Sequence, residues 1–202
     1  MVQANAKQSS AARERIVETA TDLFYRQGYQ STGINEIIEK SGVAKATFYS
    51  HFPSKDELFE VCLKLISQRE IAFITDALHA AGSDPLQRFM SVIRTLEPWA
   101  HITNLRGCAF MNVASEIPDP NSMLRKVGVR LYDQITKLVA ELTRELIESD
   151  PARYGHLSAN EVSTRYMLFF AGAVSFAELY HDISHIQDAE KAVADLVAGP
   201  ER

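Results

Sequence analysis

Between residues 16 and 73 the apolar residues recur at three- and four-residue intervals and are cut into short runs by glycine, which restricts what this chain can fold into. Ile16, Ala20, Leu23 and Phe24 fall at i, i+4, i+7 and i+8, one face of a helix that Gly28 is placed to end. Thr32 has the chemistry of an N-cap for a short second helix, with Ile34, Ile37 and Ile38 turned inward. Gly42 breaks that helix, Val43 plugs the turn, and a third helix is predicted from about Lys45 to His51. Ser54 and Glu57 then have capping-box spacing and open a long helix through Leu58, Cys62, Leu65, Ile66 and Phe73. Strand-type alternation is almost absent, so the chain is expected to be all-α.

Further helices are predicted at roughly 84–97, 107–116, 121–148, 159–182 and 187–198, separated at Pro98, Gly107, Pro118/Pro120 and Pro151, about nine or ten helices in all. The 202 residues are 46% hydrophobic, enough for a sizeable core. The polar opening MVQANAKQSS is not a signal peptide and is expected to form a mobile arm over residues 1–9. The longest apolar run, Met167 to Ala177, is far short of the ~20 residues a membrane helix needs. Cys62 and Cys108 lie far apart in no metal-ligand spacing, which fits a reducing cytoplasm. No GxSxG, HExxH, GxGxxG or P-loop spacing occurs, so neither an enzyme nor a cofactor is expected.

The net charge of −5 conceals an asymmetry: residues 1–55 carry seven Lys/Arg against five Asp/Glu, and the remainder fourteen against twenty-one. The basic end coincides with the short helices. Two of them joined by a Gly-containing turn form a helix-turn-helix, whose second helix is sized for the DNA major groove. In projection Val43, Phe48 and Phe52 face a core and leave Lys45, Thr47, Tyr49 and His51 toward solvent. Lys45 can reach phosphates or guanine acceptors, Thr47 offers a hydroxyl and a methyl, and Tyr49 and His51 can donate to phosphates. Thr32, with the backbone N–H groups of its helix start, and Lys55 are candidates for further phosphate contacts.

The segment YQSTGINEIIEKSGVAKATFYSHFPSKDEL closely resembles the N-terminal signature of the TetR (tetracycline-repressor) family, matching at Gly28, Thr32, Ile34, Ile37, Gly42, Val43, Lys45, Thr47, Phe48, Tyr49, His51, Phe52, Lys55 and Leu58. The resemblance covers roughly residues 10–60; beyond them only helical pattern and length agree. It implies an all-α homodimer: a DNA-binding domain over residues 10–55 that binds a palindromic double-stranded operator, and a domain over 56–202 that binds a small-molecule effector and dimerises. A repressor released by that effector is the implied function. By position, Lys45, Thr47, Tyr49, Ser50 and His51 belong to the recognition helix, with Thr32 and Lys55 as backbone contacts. Ala44, Ala46 and Ser50 depart from residues common in the family, which leaves the operator sequence open.

Aromatic and apolar residues of the middle helices are the candidates for an effector pocket: Phe73, Met90, Ile93, Trp99, Phe110, Met111 and Phe170. Cys108, in RGCAFMN, is a candidate redox or electrophile sensor if Arg106 or a helix start lowers its pKa; an inert buried thiol is the competing reading. Leu124, Leu131, Leu138 and Leu142 form one stripe, and Tyr166, Phe169, Ala173, Ala177 and Tyr180 belong to a second apolar face; both are candidates for a subunit interface. Glu178, His181 and His185 would share one side only if their helix continued through them. No metal site is assigned to them. A helical interaction protein without DNA binding is the remaining alternative, against which stand Lys45, Tyr49, His51 and Lys55.

Overall fold

The computed structural model describes the backbone of residues 2–198 and the side chains of residues 10–198. Among them the chain is helical, without strands: α1 (Val2–Gln27), α2 (Ile34–Ser41), α3 (Lys45–His51), α4 (Lys55–Ala80), α5 (Pro85–Arg94), α6 (Leu96–Thr103), α7 (Ala109–Glu116), α8 (Met123–Ser149), α9 (Pro151–Tyr154), α10 (Ala159–Tyr180) and α11 (Ser184–Ala198). Helix α1 begins at Val2, where an arm was expected over residues 1–9; Met1 and the side chains of residues 1–9 lie outside the described set.

The chain divides into two compact units. The first comprises Met1–Arg69 and Ala109–Val129. Its core gathers the residues that the helical spacing turned inward: Ile16, Ala20, Leu23 and Phe24 from α1, Ile37 from α2, Phe48 from α3 and Leu58 from α4, all buried. Phe24 and Phe59 sit with ring centroids 4.5 Å apart, and Tyr29 stacks on Phe59 at 4.7 Å. Such ring pairs add about 0.5–1.5 kcal/mol each beyond the area they bury. Gly28 ends α1 in the left-handed region, φ 89°, with its N–H on the carbonyl of Phe24 at 3.0 Å. Ser54 caps α4, accepting the N–H of Glu57 at 3.1 Å.

Thr32 does not cap α2. Its hydroxyl donates to the carbonyl of Gly28 at 2.7 Å, and the residue is 1% exposed, so Gly33 stands at the N-cap without a side-chain hydrogen bond. The hydroxyl serves the end of α1 instead of the start of α2.

The second unit comprises Glu70–Cys108 and Arg130–Arg202. Tyr166 is fully buried at its centre, where it donates to the carbonyl of Phe89 at 3.2 Å and meets the Phe89 ring edge-on at 5.2 Å. One helix expected over 84–97 is two, α5 and α6, breaking at Thr95. Pro98, read as the terminator, lies in the first turn of α6, where the missing N–H has no intrahelical partner to lose. Asp150 caps the single turn α9, with Pro151 as its first residue.

Candidate DNA-reading surface and ligand pocket

The turn before α3 depends on Gly42, φ 65°, whose N–H bonds the carbonyl of Glu39 at 3.2 Å. Phe48 is fully buried and Phe52 nearly so, and these two rings seat α3 on the first unit's core. The guanidinium of Arg13 lies 5.3 Å from the Phe52 ring centroid and covers it. With α3 held from behind, Lys45, Tyr49 and Ser50 are exposed and Thr47 and His51 half-buried. Tyr49, 41% exposed, has its ring edge-on to Phe48 at 5.3 Å, an arrangement that orients the phenol without hiding it. Ser50 differs from its neighbours: its hydroxyl donates to the carbonyl of Thr47 at 2.7 Å, so its proton is engaged within the helix.

Thr32 is withdrawn from this surface, because its side chain is buried and its proton points at Gly28. Lys55 is also constrained. Its ammonium lies 4.2 Å from the Tyr29 ring centroid, and burial holds its pKa below the usual lysine value, opposed by the nearby carboxylates of Asp56 and Glu116. Tyr29 in turn bonds the carboxylate of Asp56, and burial together with that carboxylate keeps the phenol protonated well above its ordinary range. Lys55 therefore belongs to a small network at the foot of α1.

The second unit holds a pocket of about 450 Å³, its open mouth included. Phe73, Trp99 and Phe170, three of the residues named from the sequence, line it together with Cys108. Met90 and Ile93 do not: both are packed in the core, on the buried side of α5. Phe110 belongs to the first unit, buried with its Cβ 2.8 Å from where a side chain on Gly128 would begin, and Met111 beside it is half-buried in the same unit. An apolar run at helical spacing cannot distinguish a residue facing empty space from one facing another side chain. The spacing also missed Glu70, Thr95 and Tyr132 in the wall. Glu70 could have been noticed, since it precedes Phe73 and Ile74 by three and four residues and so interrupts an apolar face of α4 with an acid.

Cys108 is buried and accepts the hydroxyl proton of Tyr132 at 3.4 Å. Arg106, one of the two features on which the sensor reading of Cys108 depended, forms an ion pair with Glu178 at 2.7 Å. Cys62 is equally buried, and desolvation pushes its thiol up to about 12. Helix α10 stops at Tyr180 because His181 is left-handed, φ 52°, which takes His185 off the face carrying Glu178. His185 packs against the ring of Tyr180 instead, at 5.0 Å. No group of three or more potential metal ligands is found among the described residues.

The candidate interface residues separate into two sets. Leu124, Leu131, Leu142, Tyr166, Ala173 and Ala177 are buried within their own chain and Leu138 is half-buried; the six have no side chain to offer a second copy. Phe169 and Tyr180 are exposed, and with them Leu168 (69%), Phe176 (53%) and Leu179 (71%), which the sequence reading did not single out. These five occupy the outer side of α10 at i, i+1, i+8, i+11 and i+12. Helix α10 is apolar on nearly every side, so its pattern could not show which face is inward.

Comparison with known proteins agrees with this geometry. Residues 16–62 match the family model described as bacterial regulatory proteins, tetR family. Bacillus subtilis (strain 168) supplies two similar regulators. The HTH-type transcriptional regulator YxaF, itself uncharacterized, is 25% identical over 81% of this chain and 83% of its own length. The HTH-type regulator LmrA is 29% identical over 66% and 72%. A crystal structure of a TetR-family transcriptional regulator from Streptomyces coelicolor superimposes with a TM-score of 0.83 at 25% identity, covering 93% of this chain and 95% of that one. No helix among the described residues is long and apolar enough to cross a membrane. With the helix-turn-helix seated on Phe48 and the remaining helices following the same path, the chain belongs to the TetR family of helix-turn-helix transcriptional regulators.

Proposed function

We propose that this regulator is a homodimeric repressor that reads a palindromic operator through α3 and leaves it when a small molecule occupies the pocket of the second unit. The observation that carries the DNA reading is the division of α3 into a buried back, Phe48, and an outward set of Lys45, Tyr49 and partly Thr47 and His51. That set supplies a cation, a phenol, a hydroxyl with a methyl, and an imidazole, the groups that bind phosphates and base edges. Ser50 contributes an acceptor at most. Lys55 reaches a phosphate only by leaving the Tyr29 ring. Residues 10–55 are the DNA-binding part and 56–202 the effector-binding and dimerising part.

A palindrome requires two copies of α3 spaced by about 34–36 Å for one helical turn. The exposed apolar side of α10 is the surface suited to bring the copies together, since a patch of Leu168, Phe169, Phe176, Leu179 and Tyr180 is costly to leave in water. Helix α4 contributes residues 55–69 to the first unit and 70–80 to the second. An effector that binds better with α4 in a different attitude would lower operator affinity by its differential affinity for the two states.

The test is footprinting of the dimer on genomic fragments, followed by a salt titration. Binding constants should fall steeply with salt, and Lys45→Ala, present in both protomers, should flatten the slope by about two counterions, one per protomer. Absence of binding to every native duplex at low ionic strength would end the DNA reading.

A further inference from the structure

The pocket of the second unit has an unusual charge inventory. Three of its lining residues are ionisable: Glu70, Cys108 and Tyr132. Tyr132 donates to the thiol of Cys108, and burial keeps its phenol protonated far above the ordinary value. Glu70 is the one carboxylate in the wall. No Lys, Arg or His lines the pocket, and Glu70 has no hydrogen bond or ion pair among the described residues. Burial alone, with no compensating neighbour, pushes its carboxyl up from 4.5 to about 7. Thr95, the other polar residue in the wall, already donates its hydroxyl to the carbonyl of Val92 at 2.7 Å.

Phe73, Trp99, Tyr132 and Phe170 line the same pocket. Helical spacing puts them there: Phe73 is one turn beyond Glu70 on α4, and Trp99, Tyr132 and Phe170 come from α6, α8 and α10. Glu70 is half-buried in the pocket wall, so its carboxylate is partly desolvated without a protein partner, and that cost is recovered by whatever brings the opposite charge into the site. Aromatic faces attract cations for the same electrostatic sign. An anionic ligand would meet a like charge and no cation. A neutral ligand would leave the carboxylate as it found it.

We propose that the pocket takes a hydrophobic organic cation, one amine or quaternary ammonium on an apolar body, with Glu70 as counter-ion and the four aromatic residues as walls. This inference rests on reading the pocket as the effector site, and the experiment separates the two.

Trp99 is the single tryptophan of the chain and lies in the wall, so its emission reports occupancy directly. The full-length protein is titrated at pH 8 with benzyltrimethylammonium and with neopentylbenzene, its uncharged carbon isostere, with and without operator DNA. The cation should change Trp99 emission saturably. Glu70→Gln should weaken it about tenfold or more, and Glu70→Asp, which keeps the charge, should retain the preference for the cation. Neopentylbenzene should bind less tightly than the cation and be indifferent to Glu70→Gln. Equal cation binding by Glu70→Gln in a folded protein, or tighter binding of the isostere, overturns the proposal. If the isostere alone binds and releases the operator, the effector site stands and its charge preference falls. If neither probe alters the emission, both fall.

Discussion

The carboxylate of Glu116, at the end of α7, accepts the backbone N–H of Gln30 at 2.8 Å, so residues 86 positions apart meet at the turn between α1 and α2. The same carboxylate fills the space beside Gly28. A Cβ added there would lie 2.7 Å from Glu116 Oε1, on a backbone already at φ 89°. The backbone conformation is what calls for glycine; the carboxylate, at the end of a flexible side chain, would be pushed aside by a Cβ and its bond to Gln30 disturbed.

Gly28→Ala should lower stability by about 1–2 kcal/mol from the left-handed backbone alone, with a further loss from the displaced carboxylate. Glu116→Ala in the same background should recover the second part and leave the first. Urea denaturation of the two single variants and the double variant measures the coupling; strict additivity would mean that Glu116 does not press on this turn.

Phe48→Ala removes the fully buried ring beneath α3 and should cost about 3–5 kcal/mol, unfolding the DNA-reading unit before the rest. Tyr49→Phe keeps that ring contact and loses a hydroxyl from an exposed phenol. Its melting temperature should match the parent while operator affinity falls by about 1 kcal/mol. Circular dichroism and a binding isotherm on the same samples distinguish the two.

Charge on the outer side of α10 should separate subunits without unfolding them. Leu179→Asp places an acid on a residue that is 71% exposed, and light scattering should report a monomer with unchanged helicity. Leu131→Asp buries the acid instead and should abolish folding, because an unpaired buried carboxylate is not tolerated. A dimeric Leu179→Asp protein would move the interface off this face.

The raised pKa of Glu70 carries a pH signature. The folded carboxyl keeps its proton up to about 7, whereas the unfolded one loses it near 4.5, so the native state binds more protons between those values and stability falls as pH rises through them. Glu70→Gln removes this dependence. Its urea midpoint relative to the parent should rise from pH 5 to pH 8 and then level off. Of the groups facing Glu70 in the pocket, Tyr132 stays protonated throughout that window.

Much of this arrangement could be read from the residues themselves. The inward positions of α1 to α3 followed from spacing, because short amphipathic helices bury one stripe and expose the rest. Pro98 misled because a proline in a first turn and a proline after a last turn look alike in sequence. Thr32 misled for a related reason: its hydroxyl can serve the helix that ends before it as readily as the one that starts after it. On α10, where Tyr166 and Leu168 are both apolar, only packing decides that the first is buried and the second exposed. Glu70 is legible as an acid interrupting an apolar face of α4, but the aromatic walls it shares come from α6, α8 and α10, and only packing brings those together.

Phe48 and Phe52 anchor α3 from behind, and Lys45, exposed on the other side, does little to keep the head folded. On the proposed reading, a lineage built on this head could over evolutionary time exchange one regulatory target for another by rewriting the outer positions of α3, while the scaffold that presents them is inherited intact.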